Sequence, residues 1–470
     1  MKVEQIYTGC LAQGAYYVVS ENEALIIDPL RETAPYIQRL KQDGVQLKYI
    51  FETHFHADFV SGHLDLSEQT GAIIVYGPTA NPEFEALIAQ DEQVFQIGKI
   101  QIKALHTPGH TMESTTYLLI NEAGKEEAIF SGDTLFLGDV GRPDLAQQAA
   151  DMTQEQLAGM LYESLMTKIM PLADDITVYP AHGAGSACGK NMMKETVDTL
   201  GNQKKMNYAL NQPNKEAFIA AVTDGLLPPP AYFGYNVAMN KKGYDSFAAV
   251  KARALTPLTA AALETLVEST GALILDTRTP AEFHKGFIPQ AINIGIKGDF
   301  APWVGALIGD VQQQIVLVTE PGSEEEVITR LSRVGFDQVL GYLEGGFDAW
   351  KAAGLEVDQI DRISPEEFAS RFEAGKSMVI DVRKEGEYEA EHVEDAYSKP
   401  LAYINAWTKD LQPDQHFFMH CAGGYRSMIA ASILQARGYR NFTEVDGGFN
   451  AIAKTEVPRT NFICQSKILK

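Results

Sequence analysis

Several histidines and aspartates between His54 and His182 have the spacing of metal ligands. Imidazole and carboxylate groups together suit a borderline divalent metal, whereas a thiolate-rich set would indicate structural zinc. A single histidine is usually a structural residue, but four of them with two aspartates in one segment favour a metal centre. The six candidates are His54, His56, Asp58, His110, Asp133 and His182.

Short apolar strands precede these residues and must position them. "LKYIFET" leads into His54, "KIQIKALHTPGHT" into His110 and "EEAIFSGDTLF" into Asp133. Strand ends are places where polar groups from separate segments converge beside a packed core. The pattern therefore predicts a β-rich domain over residues 1–205 whose loops carry the metal ligands.

A second chemical signature is the stretch "FFMHCAGGYRSMIAASIL", an apolar strand followed by Cys421, a glycine-rich loop and a helical pattern. Glycines let successive backbone N–H groups turn inward, and the following helix points its positive end into the loop. Both features stabilise an anion on the cysteine sulfur. Arg426 completes the spacing C-x4-R, and the candidate substrate contacts between the two are Ala422, Gly423, Gly424 and Tyr425.

The chain after the β-rich domain contains an internal repeat of about 100 residues. Residues 271–294 resemble residues 376–399, and "YLEGGFDAW" resembles "EVDGGFNAI". Apolar strands alternate with helical patterns in each copy, which predicts an α/β domain with a largely parallel sheet. The matched polar residues are Asp276, Arg278 and Glu282 in the first copy and Asp381, Arg383 and Glu387 in the second.

The first copy lacks the reactive residues of the second. Aligning "IVLVTEPGSEEEVI" with "HFFMHCAGGYRSMI" puts Glu320 opposite Cys421 and Glu325 opposite Arg426. Carboxylates at these positions would repel sulfur anions. We therefore expect the first copy to be inactive in chemistry that uses the cysteine.

Two further residues each have a functional and a plain interpretation. Arg142 in "LGDVGRPDL" would clamp a substrate carboxylate, or else form an ordinary surface salt bridge. Cys188 in "YPAHGAGSACGK" would be a reactive thiol near the metal, or else a small buried hydrophobe. Cys10 and Cys464 lie in no such context, and we assign them no role.

The motifs THxHAD, PGHT, GDTLF and YPAH occur in this order and resemble those of the metallo-β-lactamase superfamily. The resemblance implies an αββα sandwich. In the two-metal hydrolases of that superfamily, the aspartate of H-x-H-x-D and the histidine after it help to hold the second metal. Phe59 stands in place of that histidine here, so one metal is expected rather than two.

Within the superfamily this loop looks like that of the persulfide dioxygenases, which use one Fe(II). The resemblance implies that the iron ligands are His54, His110 and Asp133. Two histidines and one carboxylate would leave three coordination positions open for O2 and substrate. The residues expected to orient these ligands are His56, Asp58 and His182, with plain structural hydrogen bonding as the alternative for each.

The cysteine loop resembles that of rhodanese, in which the cysteine carries a sulfane sulfur as Cys–S–SH. C-x4-R is the tight sulfurtransferase loop, whereas phosphatases with a related cradle use C-x5-R because phosphate is larger. The repeats thus resemble a degenerate rhodanese domain at residues 256–356 and a complete one at residues 357–470. Residues 206–255 contain three successive prolines, which cannot sit inside a helix or a central strand. We expect this stretch to be an extended, aromatic-rich arm and linker.

We therefore expect an α+β and α/β multidomain enzyme that oxidises thiol persulfides, RSSH, with O2 to sulfite. Cys421 and Arg426 would interconvert sulfite and thiosulfate by sulfur transfer. One alternative is a zinc-dependent thioester hydrolase of the glyoxalase II type with rhodanese domains as passengers. Another is a non-catalytic sulfur carrier that needs no metal. The thiol carrier, the direction of sulfur transfer and any homo-oligomeric state stay open.

Composition excludes several other classes of protein. The net charge of −23 argues against nucleic acid or an anionic membrane surface as the main partner. No stretch approaches the roughly 20 apolar residues of a membrane span, and the N-terminus has no signal-peptide pattern. Four scattered cysteines are too few for a disulfide framework. We expect a cytoplasmic protein with reduced thiols.

Overall fold

The computed structural model of the chain describes residues 1–147 and 151–463. It separates into two compact units: the first holds Met1–Ala249 with the short piece Ser332–Gly335, and the second holds the rest. No helix in these described residues combines the length and the apolar content needed to cross a membrane.

The first unit is built on two six-stranded mixed sheets. One sheet has the strand order β1-β2-β3-β4-β5-β6 and the other has the order β12-β11-β10-β9-β8-β7. The first sheet consists of β1 (Lys2–Thr8), β2 (Gln13–Ser20), β3 (Glu23–Ile27), β4 (Gln46–Phe51), β5 (Ile73–Tyr76) and β6 (Leu87–Ile88). The second consists of β7 (Val94–Ile97), β8 (Ile100–His106), β9 (Thr115–Ile120), β10 (Glu126–Gly132), β11 (Thr177–Pro180) and β12 (Asp198–Thr199).

Helices cover the outer faces of both sheets, which gives the αββα sandwich that the motifs predict. One outer core joins the first sheet to α1 and α2, and another joins the second sheet to α3, α4 and α5. The helices of this region are α1 (Ala34–Asp43), α2 (His63–Thr70), α3 (Gln154–Ser164), α4 (Leu200–Met206), α5 (Lys215–Thr223), α6 (Phe233–Lys242) and α7 (Phe247–Ala254).

The inner faces of the two sheets pack against each other through aromatic rings. Phe51, at the end of β4, is fully buried and lies 4.7 Å from the ring of Tyr117 and 5.2 Å from that of Phe95. Truncating such a side chain to alanine typically costs about 3–5 kcal/mol. Because Phe51 directly precedes the loop with the first metal-ligand candidates, the sandwich core anchors that loop.

Four strands deliver the candidate ligands to one edge of the sandwich. Strands β4, β8, β10 and β11 end just before the loops that carry His54, His110, Asp133 and His182. Gly132 shows how closely the loops approach. Its φ is +52°, and an added Cβ would come within 2.6 Å of the Thr53 side chain, so only glycine fits there.

Residues 206–255 differ from the extended arm that the prolines suggested. Three helices, α5, α6 and α7, occupy most of this stretch. Turns and irregular backbone connect these helices over residues 207–214, 224–232 and 243–246, and the second of these segments contains Pro228–Pro230. The Asn214 side chain caps α5 by accepting a hydrogen bond from the Ala217 N–H. The prolines interrupt the helical pattern locally, and the expectation was wrong because it extended their effect to the flanking residues.

The second unit contains two five-stranded parallel sheets with the same topology. The first has the order β13-β17-β16-β14-β15 and the second has the order β18-β22-β21-β19-β20. The first sheet consists of β13 (Pro257–Leu258), β14 (Leu273–Asp276), β15 (Ile292–Asn293), β16 (Ile315–Val318) and β17 (Val339–Leu343). The second consists of β18 (Arg362–Ile363), β19 (Val379–Asp381), β20 (Tyr397–Ser398), β21 (Phe417–His420) and β22 (Phe442–Val445). The internal repeat is thus confirmed as two parallel α/β domains.

Each of the two parallel sheets has its own set of helices. Those of the first copy are α8 (Ala260–Thr270), α9 (Pro280–Phe283), α10 (Phe300–Leu307), α11 (Glu324–Arg333) and α12 (Gly346–Ala352). Those of the second are α13 (Pro365–Arg371), α14 (Glu385–Ala390), α15 (Ile404–Trp407), α16 (Tyr425–Ala436) and α17 (Gly448–Ile452).

Candidate metal centre and cysteine loop

Three of the candidate ligands converge in the first unit. His54, His110 and Asp133 are buried, and one possible ligand atom from each lies within 4.8 Å of the others. Oδ2 of Asp133 is 3.4 Å from Nε2 of His110 and 3.8 Å from Nε2 of His54. Both carboxylate oxygens of Asp133 are buried with no hydrogen-bond partner among the described residues. Burying an unpaired carboxylate is costly, so this donor set fits a cation held between the three side chains.

Hydrogen bonds orient both imidazoles toward Asp133. Nδ1 of His110 lies 2.9 Å from the Arg142 carbonyl oxygen, and Nδ1 of His54 lies 3.0 Å from the Thr53 hydroxyl. A partner on Nδ1 leaves Nε2 free to bind a metal. Burial, with nearby histidines, lowers the pKa of His54 well below its usual value. The imidazole is therefore neutral and offers a lone pair.

A second trio surrounds the first. Ligand atoms of His56, Asp58 and His182 also lie within 4.8 Å of one another. Nε2 of His182 is 3.4 Å from Oδ2 of Asp58 and 3.6 Å from Oδ1 of Asp133. Burial alone would lower the pKa of His182, but the carboxylates of Asp58 and Asp133 raise it well above the usual value. The trio His56, Asp58 and His182 can therefore hold a proton beside the trio of candidate ligands.

Phe59 occupies the space beside His56 without offering a donor atom. Its fully buried ring stacks on the His56 imidazole, with the centroids 4.2 Å apart. Nε2 of His56 lies 3.0 Å from Oδ1 of Asp28 on its other side. The stacked ring thus packs His56 in place beside Asp28.

The sequence analysis did not identify the residues that hydrogen-bond to the loop carrying His54 and His56. Asp28 accepts hydrogen bonds from the backbone N–H of Thr53 at 2.7 Å and from its hydroxyl at 2.8 Å. Asn240 of α6 donates to the carbonyl oxygens of His56 and Phe59, at 2.8 Å each. Asp28 directly follows the strand "EALII", which is the same strand-end signal that identified the candidate ligands. Nothing in the sequence pattern singled out Asn240.

The Arg142 side chain is engaged by neighbouring residues, and its role in substrate binding stays a prediction. Its guanidinium is buried and makes two hydrogen bonds of 2.7 Å to Asp144, and it also donates to the carbonyl oxygens of Ala187 and Leu227. The salt-bridge alternative therefore describes this side chain, although the pair is buried rather than on the surface. Its carbonyl oxygen, by contrast, orients His110.

Cys188 lies beside the candidate metal ligands. Its sulfur groups with Asp133 and His182 within 4.8 Å, and the side chain is buried. Burial raises the pKa of its thiol to about 12. This direction favours the interpretation of Cys188 as a small buried hydrophobe, and a reactive thiol at this position stays a prediction. Cys10 is half-buried, and Cys464 lies outside the described residues.

The loop of Cys421 runs from the end of β21 to the start of α16. The cysteine sulfur is buried, with the Gly424 N–H 3.1 Å away and the Ser427 hydroxyl 3.4 Å away. Gly424 has a φ of +96°, which glycine adopts readily and which turns its N–H toward the sulfur. Gly423 is exposed, and an added Cβ would meet no atom within 4 Å. The open side of the loop is therefore at Gly423.

Neighbouring elements fix the remaining residues of the loop. The Arg426 guanidinium forms a paired salt bridge with Glu387 of α14, at 2.6 and 2.8 Å. The Ala422 carbonyl accepts a 3.0 Å hydrogen bond from the Asn450 N–H. The Tyr425 hydroxyl donates to the Gly295 carbonyl of the first copy at 2.8 Å. Arg426 is thus positioned by Glu387, and the first copy supports the loop through Tyr425.

The matching loop of the first copy has the opposite electrostatic character. Glu320 takes the position of Cys421 after β16, and it lies beside Glu282. Partial burial, followed by the charge of Glu282, raises the pKa of Glu320. Neither a thiol nor a cation stands at the positions aligned with Cys421 and Arg426.

Comparison with known proteins follows the same division of the chain. The metallo-beta-lactamase superfamily matches residues 8–182, and the rhodanese-like domain matches residues 259–353 and 364–455. A crystal structure described as a metallo-beta-lactamase from Staphylococcus aureus subsp. aureus COL is 30% identical. It covers 73% of this chain and 98% of its own, with a TM-score of 0.64.

Curated relatives match less than half of the chain. The human mitochondrial persulfide dioxygenase ETHE1 is 29% identical over 47% of this chain and 79% of its own length. The hydroxyacylglutathione hydrolase of Tolumonas auensis is 38% identical over 34% of this chain, which spans only 57% of that enzyme's length. The chain belongs to the metallo-beta-lactamase superfamily and carries two rhodanese-like domains after its metallo-beta-lactamase domain.

Proposed function

We propose that this chain oxidises low-molecular-weight thiol persulfides with O2 and transfers sulfane sulfur at Cys421. The observation that carries the proposal is the trio His54, His110 and Asp133, and Phe59 stands where the resemblance to two-metal hydrolases would place a further histidine. Two histidines and one carboxylate are the donor set of non-haem Fe(II) oxygenases. Similarity to the human persulfide dioxygenase supports the same chemistry.

The proposed cofactor is one Fe(II) per chain, held by His54, His110 and Asp133. When bound, it would supply open coordination positions for O2 and for the terminal sulfur of the persulfide. The protein's own contribution is orientation. Thr53 and the Arg142 carbonyl align the two imidazoles, and the pair Asp58–His182 holds a proton next to them.

The overall oxidation is RSSH + O2 + H2O → RSH + H2SO3. Both atoms of O2 end on the terminal sulfur, and water releases it from the thiol as sulfite. The persulfide carrier is a small thiol such as glutathione, coenzyme A or bacillithiol.

The rhodanese half uses sulfite and sulfane sulfur. Cys421, loaded as Cys–S–S⁻, would donate its outer sulfur to sulfite, so that an S–S bond forms in thiosulfate and Cys421 leaves as a thiolate. The reverse reaction uses the same groups. The Gly424 N–H and the start of α16 face the sulfur and would stabilise its negative charge.

A zinc-dependent thioester hydrolase of the glyoxalase II type is the second candidate. The similarity to the Tolumonas hydroxyacylglutathione hydrolase favours it. A hydrolase would require a zinc-bound hydroxide and would use no O2. Phe59 argues against it, because a second metal would lose the ligand expected at that position.

The deciding experiment uses the full chain purified without oxygen and loaded with iron or with zinc. O2 uptake is recorded with the persulfides of glutathione, coenzyme A and bacillithiol, and thioester turnover is recorded in parallel. We expect O2 uptake with the iron-loaded protein and no thioester turnover with either metal. Thioester turnover by the zinc form without O2 uptake by the iron form would contradict the proposal.

Matched variants test the assignment of the ligands. His54→Ala, His110→Ala and Asp133→Ala should each lose bound iron, because each removes one of three protein ligands. His56→Ala is the control, since loss of a residue that only orients ligands typically costs about 10–100-fold in affinity or activity. If His56→Ala is as free of metal as His54→Ala, the ligand assignment is wrong. Phe59→His should increase metal bound per chain under metal excess.

A further inference from the structure

A continuous line of hydrogen-bonding groups leads away from the Cys421 sulfur. The Ser427 hydroxyl lies 3.4 Å from the sulfur and 2.6 Å from Oε1 of Glu444. All three side chains are almost completely buried, with exposed fractions of 1% or less. The Gly424 N–H can only donate to the sulfur. Ser427 is therefore the hydrogen-bonded neighbour that can accept a proton from the thiol and donate one onward.

Glu444 is a buried carboxyl with one strong cationic partner. It belongs to β22, and Nε of Arg362 on β18 donates to its Oε2 at 2.7 Å. Arg362 also reaches Asp446, at 2.7 Å, in the turn after β22. The charged groups that act on Glu444 are thus Arg362 and Asp446, and Cys421 lies beyond Ser427. Burial raises the pKa of Glu444 to about 7, against the opposing effects of Arg362 and Ser427.

This set of residues is absent from the copy that has no cysteine. Arg362 pairs with Glu444 across β18 and β22, and the same strand position in the first copy pairs Pro257 with Tyr342. In the aligned loops Glu326 takes the place of Ser427. The serine, glutamate and arginine therefore accompany the cysteine within this chain, although the two copies share their fold. A purely structural role in the fold would not require that association.

We propose that Ser427 and Glu444 receive the proton that Cys421 loses when it takes up sulfur, and return it when the sulfur leaves. This inference rests on the proposed sulfur transfer at Cys421. Ser427 touches the reacting sulfur, whereas Glu444 acts through Ser427 and is a positioning and proton-holding residue. Arg362 keeps the carboxyl in place.

The proton and electrons balance in both directions. The S–H proton of Cys421 passes to Oγ of Ser427 while the serine hydroxyl proton passes to Oε1 of Glu444. The thiolate then attacks the outer sulfur of thiosulfate, a new S–S bond forms, and the bond to sulfite breaks with its electron pair on sulfite. In the return step a thiolate acceptor takes the outer sulfur. Cys421 leaves as a thiolate and recovers its proton from Glu444 through Ser427.

The arrangement also limits charge in the loop. When Glu444 holds the proton, the buried site carries one negative charge on sulfur rather than two neighbouring anions. Two like charges at such short range in a buried site strongly disfavour each other. The approaching sulfur donor is itself an anion, so a protonated Glu444 removes repulsion at the moment of transfer.

The test measures how fast Cys421 is alkylated by iodoacetamide in the full chain between pH 5.5 and pH 9.5. The Cys421 peptide is quantified by mass spectrometry, so the other cysteines do not interfere. The wild-type rate should rise with pH and level off above about pH 7, where Glu444 ionises and opposes the thiolate. We call this levelling of the alkylation rate the step. In Glu444→Gln this step should vanish, and the rate should continue to rise by about tenfold per pH unit until the thiol is ionised. Glu444→Asp should restore the step.

Two further variants separate a proton route from a simple charge effect. Ser427→Ala leaves the Arg362–Glu444 pair intact but breaks the line of hydrogen bonds, and it should also lose the step. Tyr342→Phe, at the strand position of Glu444 in the first copy, should keep the wild-type profile. If Ser427→Ala keeps the step, Glu444 acts only through its charge and the proton route is wrong. If the wild type has no step, Glu444 and Cys421 do not share a proton.

Loading of Cys421 with sulfur from thiosulfate is measured on the same samples. The rate at pH 7.5 should fall about tenfold or more in Glu444→Gln, within the range of general acid–base effects, and the loss should shrink toward pH 9.5. A wild type that shows the alkylation step but takes up no sulfur would refute the proposed transferase function while keeping the proton sharing. A wild type that takes up sulfur equally well as Glu444→Gln would refute the inference and keep the function.

Discussion

The two rhodanese-like copies share a framework and differ in their chemistry. In the first copy Arg278 forms a paired, buried salt bridge with Asp276, and its guanidinium lies 4.1 Å from the ring centroid of Phe347. In the second copy Arg383 pairs with Asp381 and lies 4.0 Å from the Phe449 ring centroid. The strongest sequence similarity between the copies thus belongs to residues that hold the domain together.

The residues that differ between the copies lie at the loop. Glu387 pairs with Arg426 in the second copy, whereas its counterpart Glu282 lies beside Glu320 in the first. The same retained carboxylate therefore meets a cation in one domain and a second carboxylate in the other. A retained framework thus preserves the fold in both copies, while a few loop and strand positions set the charge around the loop.

The largest expected difference is at the aligned positions Cys421 and Glu320. Cys421→Ser should abolish thiosulfate formation and use, because a serine oxygen cannot carry sulfane sulfur as a persulfide. O2 uptake with RSSH should persist, since the metal ligands lie in another domain, and the product should shift to sulfite. Chromatography of the products after complete turnover measures the shift.

Glu320→Ala is the matched control and should change neither product. Thiosulfate output that stays unchanged in Cys421→Ser, above the background of sulfite reacting with free persulfide, would show that Cys421 is not the carrier. Cys188, which lies beside the candidate metal ligands, would then be the next candidate for the sulfur carrier.

The shared framework predicts that removing the buried arginine destabilises both copies equally. Arg383→Ala and Arg278→Ala each leave a buried aspartate without its partner, which typically costs about 3–5 kcal/mol. Hydrogen exchange of the strands β19 and β14 in the full chain should show a comparable loss of protection in the domain that carries each substitution. Protection lost in only one of the two domains would break the comparison.

Tyr425 tests whether the inactive copy supports the active loop. Tyr425→Phe removes the hydrogen bond to the Gly295 carbonyl, which is worth about 0.5–1.5 kcal/mol. We expect a few-fold loss of sulfur transfer with unchanged O2 uptake. The exposed Tyr397, changed to Phe, is the control in the same domain. Full sulfur-transfer activity in Tyr425→Phe would show that this hydrogen bond from the first copy does not support the Cys421 loop.

The smallest expected effect is an opposite response of the two copies to acid. Arg426 lowers the pKa of Glu387 although partial burial opposes it, so its stabilising contribution is present at neutral pH and is lost as the pH falls through the folded-state pKa. The pKa of Glu320 is raised, so its contribution is favourable in acid and is lost as the pH rises through the folded-state pKa.

Both contributions should stay under about 1 kcal/mol because solvent screens the groups. Glu387→Gln should destabilise its domain at pH 7 and lose this effect once the pH is below the lowered folded-state pKa of Glu387, whereas Glu320→Gln should stabilise its domain at pH 7. Urea unfolding followed by exchange protection in each domain measures both changes. Effects of the same sign in the two copies would contradict the opposite electrostatics.

Much of the fold and of the candidate centres was predictable because their signals are local. Histidines and aspartates in loops after strands identified six candidates, the family resemblance selected His54, His110 and Asp133 among them, and the structure brings these three side chains together. The internal repeat predicted two parallel α/β domains with one topology. The three prolines misled the interpretation of residues 206–255, because their effect on backbone conformation reaches only neighbouring residues.

The sequence by itself determined the order of the domains, the candidate metal ligands and the glycine-rich loop that holds Cys421. These follow from residue type and short-range spacing, which physical chemistry constrains directly. Only the tertiary structure decided that Arg142 is occupied by Asp144, that Phe59 stacks on His56 and that Ser427 joins Cys421 to Glu444. Those contacts depend on how side chains from separate segments pack at distances of a few ångströms. No local pattern specifies such packing, because the partners meet only when the chain has folded.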